Sequence, residues 1–236
     1  MPVGCVPLAV IHPPLVGDGW YAENGCCTYA VYHRTVSNGT NGELWTSEQF
    51  AIDWMQLGPN NSVLSDPLHP TEVTSYWGYG VPVLAVAPGV VTEVVNTFQD
   101  QVPREAVTIE GEGAPGNHVI LDIGGGHYVA YAHLKPNSIK VTVGQHVRVG
   151  QQIASVGNTG NSNEPHMHFQ VMDRPSFVRS HGLPYVFNRQ LLEGRISEAD
   201  TTNVDDGIVV PIDRTGAGPK RNLMPSRNDV LGFNLN

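Results

Sequence analysis

The middle of this chain consists of short segments of apolar and β-branched residues, each bounded by Gly, Pro or Asn. This pattern restricts the possible folds more than any other feature of the sequence. The segments occupy 81–86, 90–95, 107–110, 119–123 and 128–134, and the pattern continues through 139–156. Such spacing is typical of strands joined by tight turns. The glycines at 124–126 predict a hairpin, because glycine reaches positive φ without strain. We therefore predict a mainly β fold built on an antiparallel sheet, with long inserted loops and few short helices, one of them over 185–192.

The chain's 236 residues predict one domain with extensions, and its two ends differ from the strand-rich middle. Residues 1–32 are rich in Pro and Gly and are predicted to form an irregular segment. After Gly194 the chain becomes acidic and polar, with too few apolar residues to bury a core of its own. We predict a central domain over 33–194 and an extended tail over 195–236 that packs on it, with one edge strand at 208–212.

Charge and hydropathy exclude two classes of partner. The 22 acidic residues outnumber the 13 Lys and Arg residues and give a net charge of −9, so we expect no nucleic acid as the main partner. No apolar run approaches the length of a spanning helix, so we expect no transmembrane segment. The ten histidines favour metal binding or acid–base chemistry, because histidine is a common metal ligand and titrates near neutral pH.

Three cysteines lie near the N-terminus. Cys26 and Cys27 are not expected to bond to each other, since adjacent Cα atoms lie closer than a disulfide usually allows. One of them could pair with Cys5, Cys5 could carry a lipid, or all three could be small buried hydrophobes. The first residues lack the basic and apolar regions of a signal peptide, so the chain is either cytosolic or written without its export segment.

The segment 165–172 carries the sharpest chemical signal, the sequence Pro-His-Met-His-Phe-Gln-Val-Met. In a strand, side chains alternate, so His166, His168 and Gln170 share one face while Met167 and its apolar neighbours share the core face. Two imidazoles on one rigid strand suit a metal ligand beside an acid–base group. The alternative interpretation is a pair of surface histidines.

Two further residues favour the metal interpretation. His133 ends the predicted strand Tyr-Ala-His-Leu, where the sheet can hold it at the rim of a cleft. Asp53 lies inside an apolar run over 50–54, and a buried carboxylate is destabilising unless it is paired or bound to metal. Asp53 is therefore a better ligand candidate than the acidic residues of the tail.

In this order the motifs resemble the lysostaphin or LytM type of zinc metallopeptidase, whose members share a first His and Asp pair, a His within Tyr-Ala-His-Leu, and a His-x-His near the end. The resemblance covers about 32–173. It also includes the intervening runs 80–91, 116–120, 143–151 and 157–162. It implies one zinc ion held by His33, Asp53 and His168, with His133 and His166 unliganded at the catalytic centre.

One departure from the family concerns the first histidine, which usually sits close before the Asp at the place that Gln49 occupies here. His33 lies further upstream, and a polar inserted loop over 35–48 could return it to the metal, since closing a longer loop adds little entropy. His12 and His69 are the substitutes. The remaining histidines are interpreted as exposed or strand-capping residues: His118, His127, His146 and His181.

The resemblance implies an endopeptidase that cleaves peptide bonds of peptidoglycan, in the stem peptide or the cross-bridge, with metal-activated water. The loops 35–48 and 54–79 would line its cleft. The enzyme would act outside the cytoplasmic membrane, as a monomer, on peptidoglycan peptides, with its signal segment not present in this chain.

Three alternatives belong to other classes. An inactive relative would bind peptidoglycan or activate another wall hydrolase. A cupin-type metal oxidoreductase is suggested by Gly160 followed by the His-x-His, but no Glu or second Gly, Pro and His motif follows it. A structural protein of the envelope would account for the β content but not for the surroundings of Asp53.

Overall fold

Residues 7–28 and 31–234 are described by the structure, a computed structural model of the chain. Within them lie sixteen strands and two short α-helices, which confirms the mainly β prediction. The strands are β1 (Ala9–Ile11), β2 (Trp20–Glu23), β3 (Asn38–Thr40), β4 (Glu43–Trp45), β5 (Ile52–Gln56), β6 (Pro82–Leu84), β7 (Gly89–Val95), β8 (His118–Asp122), β9 (Tyr128–Ala132), β10 (His146–Val147), β11 (Gln152–Ser155), β12 (Met167–Met172), β13 (Tyr185–Phe187), β14 (Gln190–Arg195), β15 (Gly218–Lys220) and β16 (Asp229–Gly232). The helices are α1 (Tyr32–Thr35) and α2 (Thr201–Asp205), and short 3-10 turns occupy Val73–Ser75, Gly111–Gly113 and Glu198–Asp200.

Ten of the strands form one sheet in the order β10-β7-β8-β9-β12-β5-β2-β16-β14-β15, and its neighbouring strands are antiparallel. The predicted glycine hairpin joins β8 to β9, and Gly124, Gly125 and Gly126 all have positive φ. Strand β12 lies between β9 and β5. The motif strand is therefore held on both edges, which makes its faces rigid.

The two faces of this sheet differ in what covers them. One face packs on the main core, where Met167, Phe169 and Val171 of β12 are fully buried, as the alternation predicts. A second apolar cluster includes Tyr21, Met55, Val204 and Val230, from the alternate positions of β2, β5 and β16 and from α2. Histidines and carboxylates occupy the part of that opposite face which these side chains leave uncovered.

Two local predictions are wrong. Residues 107–110 form no strand and run as an irregular segment along the cleft described below. Residues 185–192 form no helix: β13 pairs with β1 in parallel, and β14 pairs with β15 and β16. In both places the local sequence pattern is overridden by tertiary structure, because a segment becomes a strand only where a neighbouring strand is available to pair with it.

The flanks contribute to the central sheet. Strand β2 comes from the N-terminal segment, and β15 and β16 come from the C-terminal one. The edge strand expected at 208–212 is wrong, because the chain pairs instead at 229–232, where Val230 and Leu231 are fully buried. The division into 1–32, 33–194 and 195–236 stays a prediction.

Two remaining features concern the cysteines and the helices. Cys26 is buried and Cys27 is exposed, and the expectation that they do not bond to each other stays a prediction. Cys5 lies outside the described residues, so its pairing or modification stays a prediction. None of the helices in the described ranges has the length and apolarity needed to cross a membrane.

Candidate metal centre

The three predicted ligands meet on the open face of the sheet. The register of β12 and β5 sets His168 opposite Asp53, with His168 Nδ1 2.9 Å from Asp53 Oδ1. Helix α1 brings His33 to the other carboxylate oxygen, with Nε2 3.1 Å from Oδ2. One ligand atom from each residue lies within 4.8 Å of the others, and all three residues are buried.

Outer hydrogen bonds orient the two imidazoles toward the carboxylate. His33 Nδ1–H donates to the carbonyl of Ala51 at 3.2 Å, which leaves the Nε2 lone pair facing Asp53. His168 Nε2–H donates to Gln170 Oε1 at 2.7 Å, which leaves its Nδ1 lone pair facing the same carboxylate. Acceptors that converge in this way need a cation between them, so the donor set fits a metal such as zinc.

Protons perform that neutralising role in the metal-free chain. Burial disfavours the charged His33 imidazole, but the adjacent Asp53 prevails and raises the pKa of His33 to about 9. Burial likewise disfavours the Asp53 carboxylate, but the charge of His33 and hydrogen bonds from His168 and His33 hold the pKa of Asp53 well below its usual range. Asp53 is therefore ionised at neutral pH, as a metal ligand would need to be.

The two predicted catalytic histidines lie beside this cluster. The ring centroids of His133 and His166 are 4.7 Å apart, and Nε2 of His166 is 3.6 Å from Asp53 Oδ1. Each ring donates its Nδ1–H to a backbone carbonyl at 2.8 Å, that of Thr159 for His133 and that of Glu164 for His166. Their Nε2 atoms thus remain available as proton acceptors.

Burial keeps both of these imidazoles neutral. It lowers the pKa of His133 well below its usual range, with help from the neighbouring His166 and His168. It also lowers the pKa of His166, against the attraction of Asp53. A neutral imidazole with a free Nε2 can accept a proton and afterwards return it.

These five residues line one cavity of about 710 Å³. The loop 35–48, which contains the hairpin β3–β4, contributes Val36, Asn38 and Glu48 to its wall. The segment 54–79 contributes only Met55 among the described lining residues, because Leu57, Val63, Leu64 and Tyr76 pack into the second apolar cluster. Of the two predicted cleft loops, the first therefore shapes the cavity.

The other histidines lie away from the cavity. His12 and His69, the substitutes for His33, are exposed, and His69 pairs with Asp66. His118 and His127 are buried rather than exposed. His118 forms a hydrogen bond with Glu93, and His127 forms one with the Pro7 carbonyl. None of these four, nor Gln49, is among the described residues that line the cavity.

Sequence reasoning missed three carboxylates of the cavity wall: Glu23, Glu164 and Asp205. The alternation of side chains along 20–23 is a signal that could have assigned Glu23 to the cavity face of the sheet, where it lies opposite Asp53 in the register of β2 and β5. Asp205 carries no local signal, because the packing of α2 on the sheet brings it there.

We expect the variant Glu164→Gln to be more stable than the parent chain at pH 7.5 and equally stable at pH 4. Burial and the nearby carboxylates of Glu23 and Asp205 raise the pKa of Glu164 from 4.5 to about 9. Between those pH values the unfolded chain releases a proton that the folded chain retains, so the stability of the parent falls as pH rises through this window. Thermal unfolding at the two pH values should give a gain of about 2 kcal/mol at pH 7.5 only. An equal Tm difference at both pH values would contradict this.

Comparison with known families gives one match. Residues 76–180 match the family described as Peptidase family M23, which confirms the resemblance seen in the sequence. The matched stretch contains His133, His166 and His168 and begins after His33 and Asp53.

Among curated proteins, the chain is similar to one whose name refers to cell division and to another whose name refers to peptidoglycan. It is 35% identical over 97 residues to the cell division protein DipM of Caulobacter vibrioides, which covers 41% of this chain and 13% of that protein. It is 39% identical over 59 residues to the peptidoglycan DD-endopeptidase ShyA of Vibrio cholerae, which covers 25% of this chain and 13% of that protein. The chain therefore spans a small part of the length of these relatives.

Among solved structures, the chain is similar to the catalytic domain of the prophage-encoded M23 protein EnpA from Enterococcus faecalis, with 18% identity, a TM-score of 0.41, and coverage of 72% of this chain and 92% of that one. It is also similar to the catalytic domain of the antimicrobial peptidase lysostaphin from Staphylococcus simulans, with 22% identity, a TM-score of 0.37, and coverage of 72% and 88%.

Proposed function

We propose, on the premise that residues 76–180 form a domain of peptidase family M23, that this protein is a zinc-dependent endopeptidase that cleaves peptide bonds of peptidoglycan. The observation that carries the proposal is the convergence of His33, Asp53 and His168 beside the neutral imidazoles of His133 and His166. The name of one relative, a peptidoglycan DD-endopeptidase, supports the substrate.

The chemistry of the donor set supports zinc. Two imidazole nitrogens and one carboxylate oxygen are ligands that zinc prefers, and three protein ligands are typical of catalytic rather than structural sites. When bound there, zinc would make water acidic enough to supply a nucleophile near neutral pH and would polarise a peptide carbonyl. His33, Asp53 and His168 would hold it.

His133 and His166 perform the proton transfers in this proposal. The Thr159 carbonyl fixes the Nδ1–H tautomer of His133, so Nε2 can take the proton of the attacking water. The Glu164 carbonyl fixes His166 in the same tautomer, so its Nε2 can first accept a proton of the attacking water and then donate it to the developing oxyanion or to the leaving amine. The two histidines could exchange these roles, since both rings face one cavity.

The substrate implies a location for the enzyme. Peptidoglycan lies outside the cytoplasmic membrane, so we propose that the enzyme acts extracytoplasmically, and that it acts as a monomer. A catalytically inactive module that binds peptidoglycan is the alternative.

The deciding experiment joins metal analysis to peptidoglycan digestion. The purified chain should contain about one zinc per molecule, release soluble peptides from peptidoglycan, lose that activity with a zinc chelator, and recover it when zinc is restored. Metal-free protein that binds peptidoglycan without releasing peptides would favour the inactive module. Metal-free protein that does neither would reject both.

His33→Ala is expected to lower zinc affinity by at least about 100-fold, because it removes one of three ligands. Gln49→Ala is the matched control, since Gln49 occupies the position usual for the family's first ligand but is not part of the described cavity wall. Metal titration of both variants measures this. Full zinc affinity in His33→Ala would show that another residue supplies the third ligand.

A further inference from the structure

Three carboxylates lie at one end of the cavity, beside the metal centre. Glu23 on β2 stands opposite Asp53 in the register of β2 and β5, so both side chains emerge on the same face of the sheet. Glu164 precedes β12, and Asp205 belongs to α2. All three line the cavity that also contains His133 and His166.

Among the described residues, no cation forms an ion pair with this cluster. Arg104 donates to the Asp206 carbonyl at 2.8 Å and to the Tyr76 hydroxyl, and Arg227 pairs with Glu198 at 2.7 Å. Among the described residues, no Lys, Arg or His nitrogen lies within 4.0 Å of a carboxylate oxygen of Glu23, Glu164 or Asp205. The charges of Arg104 and Arg227 therefore act on the cluster only from a distance, while their hydrogen bonds go to other groups.

A second observation, independent of the charges, concerns the side chain of Glu164, which has an unsatisfied acceptor atom. Only 8% of the residue is exposed, and its Oε2 atom is buried without a hydrogen-bond partner. Such an acceptor is destabilising unless a donor completes it. Burial also raises the pKa of Asp205 to about 6, with a further contribution from Asp206. Without a partner Glu164 keeps its proton, and a cationic donor from outside the chain would satisfy the orphan oxygen and favour the ionised carboxylate.

The spacing of the carboxylates distinguishes an organic cation from a metal ion. In the described part of the chain, His33, Asp53 and His168 are the one set of at least three such residues whose ligand atoms come within 4.8 Å of one another. Glu23, Glu164 and Asp205 do not form such a set, which argues against one metal ion shared by all three. An ammonium group can donate one N–H to the orphan Oε2 atom of Glu164 and turn its other N–H donors toward a second carboxylate or water.

We propose that Glu23, Glu164 and Asp205 form a subsite that binds a protonated primary amine of the peptide substrate close to the bond that is cleaved. This inference rests on the proposed function and specifies which peptides the cleft selects. The subsite would contribute to specificity through charge-assisted hydrogen bonds, while the metal centre and its histidines perform the chemistry.

A pair of substrates tests the selectivity. One is a cross-linked muropeptide dimer with a free side-chain amine, and the other is the same dimer after acetylation of that amine. The parent enzyme should cleave the free amine form with a kcat/KM at least about tenfold higher, as expected for hydrogen bonds to a charged group. Glu164→Gln and Asp205→Asn should reduce this preference to less than about twofold. Glu112→Gln, which removes a charge from an exposed residue, should retain it.

A binding measurement separates the subsite from catalysis. Nα-acetyl-lysine methylamide should bind the zinc-loaded parent chain at least about tenfold more tightly than its Nε-acetylated derivative, and Glu164→Gln should abolish the difference. Binding of the amine without cleavage of either dimer would reject the endopeptidase and support the subsite. Equal cleavage of both dimers with equal binding of both lysine derivatives would overturn the subsite and leave the endopeptidase intact. Saturation of the cluster by calcium ions with no binding of the amine would also overturn it.

Discussion

Asp53→Ala should lose zinc and peptidoglycan cleavage together. Both carboxylate oxygens of Asp53 are engaged, one facing His168 at 2.9 Å and the other facing His33 at 3.1 Å, so the variant removes one ligand and the charge that orients the other two. We expect the metal content to fall below about a tenth of the parent value and activity to fall by about 1000-fold or more. Metal analysis and release of soluble peptides from peptidoglycan measure the two effects on one preparation.

The control for this prediction is Asp66→Ala. Asp66 also pairs with a histidine, His69, but that pair is exposed and lies outside the cavity. The control should keep full zinc and full activity. An Asp53→Ala protein that is folded and still holds one zinc per chain would show that Asp53 is not a ligand.

His133→Ala and His166→Ala should separate metal binding from catalysis. Neither imidazole belongs to the set of atoms that can converge on one ion, and each is held by a backbone carbonyl rather than by another ligand. Each variant should therefore retain about one zinc per chain while kcat falls by about 100- to 10,000-fold, the range typical of lost general acid–base catalysis.

His146→Ala provides the comparison for these two variants, since His146 is exposed on β10 at the far edge of the sheet. It should behave as the parent chain in both assays. Loss of zinc from His133→Ala or His166→Ala would move that residue into the ligand set. Full activity in either variant would remove it from the catalytic machinery.

The parts of this molecule that sequence could predict are those governed by local periodicity. Alternation along 166–170 correctly separates the face with His168 and Gln170 from the core face with Phe169, because a strand leaves only two directions for its side chains. The turn at 124–126 can be predicted equally well, since its positive φ values favour glycine.

The parts that sequence could not predict depend on contacts between distant segments. The segment 185–187 becomes a strand because β1, at the other end of the chain, pairs with it in parallel. Asp205 reaches the cavity because Val204, its neighbour on a helix of five residues, is buried in the apolar cluster that also contains Tyr21 and Val230. A helix so short has no periodic signature, and the acidic composition around it predicts only an extended tail that packs on the central domain.

The position of β16 has a consequence for how the chain is made. Strand β2, which carries Glu23, pairs with β5 on one side and with β16 on the other. Because β2 is synthesised early, its second pairing partner is missing until residues 229–232 have been made. Until those residues leave the ribosome, one edge of β2 exposes unpaired amides and carbonyls, and an unpaired edge is a template for strands of other chains. The risk of self-association during synthesis is therefore concentrated in its last stage, when the gap that β16 will fill leaves both β2 and β14 with an unpaired edge.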